Sequence, residues 1–522
     1  MIIEENLLWL VEENADYLLE LHQGIEKEGL RVLDNGSISL RPHPAALGHK
    51  LSHPYVTTDY AENLLEFVTP VFTDNEGLLN FLKDIQTYAL NVLEKDESVW
   101  PASMPSLLPE EKDIPVAYFG ESNTGKLKTL YREGLSHRYG KAMQSIAGMH
   151  YNFSLSRKFV EKLPKQMNLN VDPRKFTDDI YFKLIRNFRR YSWLVSYLFG
   201  ASPAVDESFL KGKEHTLQKL GKNTYGREFA TSLRMGGLGY TSAAQNEIAV
   251  CYNQLPTYIS TLEKARKRPY PPYEKLGVKV DGEYRQLNSN LLQIDNEFYS
   301  TLRPKRTARS GESALQALHQ HGVEYIEVRL LDLNPFEACG ISEEDMRFLQ
   351  LFLTFCLIEE SRAVSDAECD QILQNFETVV NEGRNPKARL RRGESSLSVK
   401  NFSLELLEKM EALLDAHPKL KSYYESSLKA QLEKINKPEK LLAARVLEGI
   451  GPDVSFVDST FSLAQKHKKE LLGRQLGGEL RQTLDALAQS SLRQERELSK
   501  SDREDFDVFL KKYFDKIKIE EY

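Results

Sequence analysis

The chain has 522 residues, of which 41% are hydrophobic and 28% are charged, an ordinary balance for a folded globular protein. Its formal net charge of −7 offers no basic field for nucleic acid, so we expect no nucleic-acid partner. At about 150 residues per domain the length suggests several domains, although large α+β enzymes often exceed this size within one catalytic body.

The chain contains only four cysteines, at positions 251, 339, 356 and 369, and no CxxC pair. So few thiols in so long a chain do not form a disulfide framework, and we expect a cytoplasmic protein. The N-terminus lacks the basic start of a signal peptide. The longest apolar runs, at 348–358 and 191–205, are too short or too interrupted to span a bilayer, so we expect no membrane partner.

The order of helical and extended patterns predicts an α+β fold. Amphipathic periodicity predicts helices over 6–20, 78–93 and 182–199. Alternating patterns predict strands over 24–32, 64–68, 149–155 and 323–331, and Asp34-Asn35-Gly36 is a hairpin turn signal. Strands joined by hairpins, with long helices inserted, favour a mainly antiparallel sheet over repeated βαβ units.

The composition changes near residue 381. Glycine, proline and four arginines predict a mobile, solvated loop over 381–399, and the chain beyond Phe402 is highly charged and almost entirely helical in pattern. We therefore predict a catalytic domain over 1–380 and a helical C-terminal portion over 400–522 that packs on it.

Apolar and polar residues alternate along the segment Tyr325–Leu330, and the polar ones could carry chemistry. Ile326, Val328 and Leu330 leave one face of the predicted strand, and Tyr325, Glu327 and Arg329 leave the other. A carboxylate and a guanidinium on one face can form a surface ion pair. If that face lines a cleft, they can instead hold a metal ion and a phosphate side by side.

Carboxylates also interrupt other apolar patterns. An uncompensated carboxylate is costly to bury, so each needs an arginine partner or a divalent cation held by oxygen ligands. For one carboxylate the ion pair is the simpler interpretation, but several together favour a metal site. The groups are Glu26 with Glu28, Asp59 with Glu62 and Glu66, Asp295 with Glu297, and Glu327.

His150 lies in a predicted strand and shares a face with Asn152. A single strand histidine is often structural, but facing the acidic groups it is a candidate metal ligand through a neutral ring nitrogen. No second histidine at i+4 and no cysteine ligand accompany it, so a zinc signature is absent and Mg²⁺ is the natural choice.

Two basic segments invite phosphate-binding interpretations. The segment Gly120–Leu127 matches a Walker A loop until Leu127, which replaces the hydroxyl residue that holds magnesium, so we do not predict a P-loop. The segment Arg303-Pro304-Lys305-Arg306 either contacts phosphates or caps a helix.

Taken together, many segments resemble the bacterial glutamate–cysteine ligases, or γ-glutamylcysteine synthetases, of the proteobacterial type. The matching blocks span about 8–375 in family order and include GIEKEGLRV, TTDYAENLLEFVTP, SNTGKLKTLYREGL, GMHYNFSL, ATSLRMGGLGYT, LNSNLLQIDNEFY, RPKR and GVEYIEVRLLDLNPF. The resemblance implies a curved, mainly antiparallel sheet like that of glutamine synthetase, with the active site on its concave face.

The resemblance also implies an activity. ATP would phosphorylate the γ-carboxylate of L-glutamate, and the amino group of L-cysteine would attack the acyl phosphate to give γ-glutamylcysteine, the first intermediate of glutathione synthesis. Two anions must meet in such a transfer, so Mg²⁺ would offset their charge. We expect small-molecule partners only and a monomeric enzyme.

The resemblance assigns roles to particular residues. Arg329 would stabilise the transferring phosphoryl group beside Glu327. Glutamate would bind Arg234, Gln144 and Asn152. Cysteine would bind a pocket of Tyr131, Tyr240 and Tyr299, with Arg132 nearby. The Mg²⁺ ligands would be Glu26, Glu28, Asp59, Glu66, His150 and Glu327.

Three other functions compete with this one. A sister ligase would join glutamate to another small amine. A metal-dependent phosphohydrolase would also use clustered carboxylates. A catalytically inactive binding protein is disfavoured by the intact carboxylate set.

Overall fold

An antiparallel sheet of seven strands organises the described part of the chain, which comprises residues 3–239, 243–309 and 312–519 of a computed structural model. The strands, including those of three smaller sheets, are β1 (His22–Leu33), β2 (Val56–Thr58), β3 (Leu64–Val68), β4 (Glu97–Val99), β5 (Met149–Ser154), β6 (Ala204–Asp206), β7 (Gln218–Gly221), β8 (Thr224–Gly226), β9 (Lys279–Val280), β10 (Glu283–Tyr284), β11 (Leu302–Lys305), β12 (Tyr325–Leu331), β13 (Arg389–Arg392) and β14 (Ser395–Ser398).

Helices pack around this sheet. They are α1 (Val11–Leu19), α2 (Asn75–Val92), α3 (Asn123–Tyr139), α4 (Lys141–Gln144), α5 (Arg157–Gln166), α6 (Pro173–Phe199), α7 (Ala243–Asn246), α8 (Leu255–Lys267), α9 (Pro271–Leu276), α10 (Ala314–His321), α11 (Glu343–Ile358), α12 (Asp366–Glu382), α13 (Val399–Asp415), α14 (Pro418–Asn436), α15 (Leu442–Glu448), α16 (Phe456–Leu472), α17 (Gly478–Ser501) and α18 (Phe506–Lys516).

The main sheet has the strand order β11-β12-β5-β1-β3-β2, and β4 pairs with the far end of β1. Residues directly opposite each other in antiparallel strands project from the same face. Because the sheet pairs Glu26 with His150, Glu28 with Glu66, and Glu327 with Asn152, one face collects these polar side chains. We call it the polar face.

The opposite face of the sheet is part of the core. The helices α2, α6 and α11 pack behind it. Its fully buried side chains are Ile25, Leu65, Phe67, Tyr151, Phe153, Ile326 and Val328. Lys27 is a buried charged residue on this face, and its Nζ donates to Oε1 of Gln86 at 2.6 Å. Burial lowers the pKa of Lys27 to about 8.

Most of the sequence-based elements are confirmed, including the α+β fold with an antiparallel sheet. The strand predicted over 64–68 coincides with β3, and those over 24–32, 149–155 and 323–331 fall on β1, β5 and β12. The predicted helices correspond to α1, α2 and α6, and α6 begins nine residues before the predicted start because Asp172 caps it. Asp34-Asn35-Gly36 does form a turn, which is closed by a hydrogen bond from the N–H of Leu33 to the carbonyl of Ser37.

The loop predicted over 381–399 is wrong, because most of that segment is the end of α12 and the β13–β14 hairpin. Asn375 of α12 anchors the hairpin through 2.8 Å hydrogen bonds to both the N–H and the carbonyl of Arg391. Leu390 is fully buried, and Gly393 has the positive φ of 60° that the turn requires. The arginine-rich composition therefore reflects exposed strand side chains.

The acidic residues Asp295 and Glu297 lie on a short 3-10 helix, Asp295–Glu297, and their carboxylates accept from backbone and side-chain donors.

The core runs without a break from the sheet into the C-terminal helices. The indole of Trp100, next to β4, meets the ring of Phe456 on α16 edge to face, with centroids 5.9 Å apart. Thr87 of α2 donates to the carbonyl of Leu471 on α16 at 3.1 Å. One apolar cluster includes residues from both 1–380 and 400–522. The division of the chain into these two parts therefore stays a prediction. Within the described ranges, none of the helices is both long and apolar enough to cross a membrane.

Because of this continuous core, we expect Phe456→Ala to destabilise the whole chain by about 3–5 kcal/mol. Urea unfolding followed by both tryptophan fluorescence and far-UV circular dichroism measures this. All three tryptophans precede residue 200, whereas circular dichroism reports every helix, so coincident transitions indicate one cooperative unit.

The control for this substitution is Phe461→Ala on the same helix. Phe461 is only partly buried, so its truncation should cost roughly 1–2 kcal/mol. Two separated transitions in the wild-type chain would contradict a single cooperative core.

Candidate active site

Three neighbouring strands bring Glu26, His150 and Glu327 together on the polar face. Nδ1 of His150 lies 3.1 Å from Oε2 of Glu26 and 3.9 Å from Oε1 of Glu327. One ligand atom from each residue lies within 4.8 Å of the other two. We call these residues the carboxylate–histidine group.

Beside this group, Glu28 and Glu66 lie directly opposite each other on β1 and β3. Burial raises the pKa of Glu28 to about 8, and the charge of Asp59 adds to the effect. Burial, with the charges of Glu26 and Asp59, raises the pKa of Glu66 well above its usual range. Nε2 of His150 lies 3.8 Å from Oε1 of Glu28 and so links this carboxylate pair to the carboxylate–histidine group.

Glu327 is held ionised although its side chain is only 1% exposed. Burial opposes its charge, but Lys305 and Arg329 outweigh burial and hold its pKa well below the usual range. Nζ of Lys305 lies 3.4 Å from Oε1 of Glu327, and Nη1 of Arg329 lies 3.2 Å from Oε2. The polar face therefore changes from anionic to cationic across Glu327.

The donor set fits a hard divalent cation. Such ions take carboxylate oxygens, and crowded carboxylates with raised pKa values are relieved by a cation between them. Burial and the charge of Arg329 lower the pKa of His150, so its imidazole is neutral and offers a ring nitrogen. The residues that could hold cations are Glu26, Glu28, Asp59, Glu66, His150 and Glu327.

Arg303 and Lys305 belong to this face, a role that the sequence analysis did not assign. Both lie on β11, where Arg303 pairs with Glu327 and Lys305 with Tyr325. The alternation of Leu302–Lys305 could have identified them, as it did for Tyr325–Leu330. Arg306, beyond the strand, donates to the carbonyl of His321 and so caps the end of α10.

Arg234 lies inside the wall of the site with 1% of its surface exposed. Its Nη2 donates to the carbonyl of Arg329 at 2.8 Å, and its charge lowers the pKa of Glu28 against the effect of burial. A Cβ at position 148 would lie 2.5 Å from this nitrogen, so Gly148 is required for the approach. The N–H of Gly148 also donates to Oε2 of Glu28 at 2.5 Å.

Asn152 faces the carboxylate–histidine group, and its Nδ2 donates to Oε1 of Glu26 at 3.0 Å. Among the residues that the structure describes, the buried Oδ1 of Asn152 has no hydrogen-bond partner. This oxygen is available to a ligand on the polar face.

The start of α3 replaces the Walker-like loop. The Ser122 hydroxyl accepts from the N–H of Gly125 at 3.1 Å and caps the helix, which then presents Tyr131 and Arg132. The guanidinium of Arg132 lies 4.3 Å from the centroid of Phe119, and its Nε donates to the carbonyl of Asp59. The helix is thus joined to the turn that carries one candidate metal ligand.

Tyr299 and Gln144 meet near this helix. Nε2 of Gln144 donates to the hydroxyl of Tyr299 at 2.6 Å. Tyr131 and Tyr299 are both partly buried against the core. Tyr240, the third tyrosine predicted for this pocket, lies outside the described residues.

Two of the acidic residues noted in the sequence have structural roles instead. Glu62 forms a buried ion pair with Lys50 at 2.6 Å. Asp295 accepts from the N–H of Leu315 at 2.7 Å at the start of α10. The pattern of carboxylates alone did not separate these residues from those on the polar face.

Comparison with known proteins gives a consistent result. Residues 7–379 match the family model for glutamate-cysteine ligase. The glutamate–cysteine ligase of Hahella chejuensis is 44% identical over 502 residues, covering 95% of this chain and 96% of that protein. That of Pseudomonas entomophila is 44% identical over 511 residues, covering 97% and 96%.

Solved structures agree. The crystal structure of the Francisella tularensis glutamate–cysteine ligase in complex with AMP matches with a TM-score of 0.89 and 33% identity, over 95% of this chain and 98% of that one. A bifunctional glutathione synthetase from Pasteurella multocida matches with a TM-score of 0.70 and 27% identity, over 90% of this chain and 55% of that one. The chain therefore belongs to the glutamate–cysteine ligase family.

Proposed function

We propose that the polar face joins the γ-carboxyl group of L-glutamate to the amino group of L-cysteine at the expense of ATP, with Mg²⁺ held by its carboxylates. The observation that carries this proposal is the position of Glu327. Glu327 belongs to the carboxylate–histidine group and also contacts the cations Lys305 and Arg329, which supports a surface that receives metal ions and phosphate oxygens side by side.

The proposed metal ligands are Glu26, Glu28, Asp59, Glu66, His150 and Glu327. A divalent cation bound there would offset the negative charge of two anionic reactants and align them. The ionised Glu327 and the neutral His150 are ready for this role, whereas Glu28 and Glu66 would lose protons on binding.

Arg329 is proposed to stabilise the phosphoryl group as it moves from ATP to glutamate. Its backbone is fixed on both sides, because its N–H donates to the carbonyl of Thr301 at 2.9 Å and its carbonyl accepts from Arg234. Its guanidinium remains partly exposed on the polar face. A fixed cation aimed at developing charge needs little reorganisation during the reaction.

The two amino acids are proposed to bind on either side of Gln144. Glutamate would use Asn152, whose Oδ1 faces the site, together with Arg234 and Gln144. The acceptor pocket, which we define as Tyr131, Arg132 and Tyr299, would bind cysteine; Tyr240, also predicted there, lies outside the described residues. The hydrogen bond from Gln144 to Tyr299 joins the two substrate positions. Cytoplasmic location and a monomeric state are likewise proposed.

The direct test is an activity panel. The purified chain is incubated with ATP, Mg²⁺, glutamate and a series of small amines, and ADP and phosphate are measured. We expect release that requires both glutamate and cysteine. Phosphate release without amino acids would favour a phosphohydrolase, and preference for another amine would favour a sister ligase.

We expect Glu327→Gln to lower kcat by about 10³-fold while the chain stays folded. The amide keeps the shape but removes the charge that contacts a cation and pairs with Arg329 and Lys305. Half-maximal activity should also need about 10–100-fold more Mg²⁺. Steady-state rates across a Mg²⁺ titration measure both effects.

Glu324→Gln is the matched control, because Glu324 lies three residues earlier and is exposed. Near-normal turnover of Glu327→Gln at the wild-type Mg²⁺ optimum would remove Glu327 from the mechanism.

We expect Arg329→Ala to lower kcat by about 10³-fold or more, because it removes the cation proposed to face the phosphoryl group. The KM for cysteine should change little. Arg306→Ala, which removes an arginine beyond the end of β11, should leave kcat within about twofold. A variant at position 329 that retains normal kcat would contradict the assignment.

A further inference from the structure

Glu297 is a buried carboxylate that the proposed mechanism does not use. Its side chain is fully buried and accepts three hydrogen bonds. The donors are Nη1 of Arg138 at 3.0 Å, the hydroxyl of Tyr139 at 2.6 Å and the N–H of Gln293 at 2.5 Å. A carboxylate with this many donors is rigidly held.

The donors come from both walls of the acceptor pocket. Arg138 and Tyr139 are at the C-terminal end of α3, the helix that presents Tyr131 and Arg132. Glu297 and Gln293 belong to the segment that ends in Tyr299. The rings of Tyr139 and Tyr299 also contact each other edge to face, with centroids 5.7 Å apart. Glu297 therefore joins one wall to the other.

A second connection runs through Gln293. Its Nε2 donates to the carbonyl of Tyr131 at 3.2 Å, and its Oε1 accepts from the N–H of Leu287 at 2.9 Å. The amide lies against Gly134 of α3 so closely that a Cβ at this position would clash with it. A larger residue at 134 would therefore displace the Gln293 amide from its present position against α3.

Gln245 extends the network to the short helix α7. Its Oε1 accepts from the N–H of Tyr299 at 2.7 Å, and its Nε2 donates to the carbonyl of Glu297 at 2.9 Å. The backbone of Tyr299 is thus fixed relative to the same carboxylate residue that holds α3.

We propose that Glu297 is a positioning residue that sets the separation of the two walls of the acceptor pocket and so determines the affinity for the amino-acid acceptor. This inference rests on the proposed function, because it needs the acceptor to bind between α3 and Tyr299. The side-chain hydrogen bonds of Glu297 go to α3 and to Gln293, and not to the carboxylate–histidine group, Lys305 or Arg329, so we expect its main effect on the acceptor.

The matched control is another buried glutamate that pairs with an arginine, Glu97. It accepts from Arg31 at 2.8 Å and from the Ser39 hydroxyl at 2.5 Å, and both members of its ion pair are 1% exposed. It lies on β4, away from α3 and Tyr299. Loss of either charge leaves a buried arginine uncompensated, so general destabilisation is common to both variants.

The experiment compares Glu297→Gln with Glu97→Gln by full steady-state kinetics of ligation. We expect Glu297→Gln to raise the KM for cysteine about tenfold or more, with the KM values for glutamate and ATP within about twofold and kcat at saturating cysteine nearly unchanged. Glu97→Gln should leave all three KM values within about twofold. Tyr139→Phe, which removes one hydroxyl and keeps the ring, should raise the KM for cysteine several-fold.

Equal kinetic effects of Glu297→Gln and Glu97→Gln would overturn the proposal, as would a parallel rise in all three KM values. If Glu297→Gln does not fold, Tyr139→Phe decides: an unchanged KM for cysteine overturns the proposal. Tyr131→Ala and Tyr299→Ala separate this inference from the proposed function. If they also leave the KM for cysteine unchanged, the acceptor pocket itself is wrongly placed; if they raise it, only the role of Glu297 fails.

Discussion

Glu28 and Glu66 are directly opposite each other on neighbouring strands, and this enforced proximity of two buried carboxylates is the constraint on which the rest of the site depends. Like charges so placed oppose the folded state unless protons or cations accompany them. The N–H of Gly148 and the charge of Arg234 stabilise the negative charge of Glu28 in part. The rest of the repulsion would be offset by a bound ligand. In the proposed function, a divalent ion bound between the two carboxylates would relieve this repulsion.

The sheet can hold this repulsion because its other face is a well-packed apolar layer. Fully buried aliphatic or aromatic residues alternate with the polar ones on β5 and β12, and Ile25 of β1 lies in the same layer, so the side chains of the polar face are firmly based. Arg234 adds a polar constraint from behind by binding the backbone of Arg329. The two proposed amino-acid positions, in contrast, involve side chains of α3, α4 and the 293–299 segment, which are joined by hydrogen bonds such as those of Glu297.

The sequence predicted the strands of the polar face well, because alternation reports which side chains share a face. It identified Glu327 and Arg329 as neighbours and placed Glu26 with Glu28. It could not show that Glu62 faces Lys50 while Glu66 faces Glu28, because the partner of each side chain is set by the tertiary structure. The hairpin β13–β14 was missed for a related reason. Its arginines have the composition of a loop, and the tertiary hydrogen bonds from Asn375, which the composition does not reveal, hold β13 against α12.

The alternation Glu26-Lys27-Glu28 also protects the pairing of β1 against error. A slip of one residue would exchange the two faces of a strand. It would turn Glu26 and Glu28 into the apolar layer behind the sheet. Lys27, which contacts Gln86 in the native structure, would instead lie among the proposed cation ligands. Such a mispaired strand would lose its burial energy and the proposed metal ligands together. The charge pattern proposed to bind cations therefore also specifies the register of the central strand, so folding and the proposed function select the same pairing.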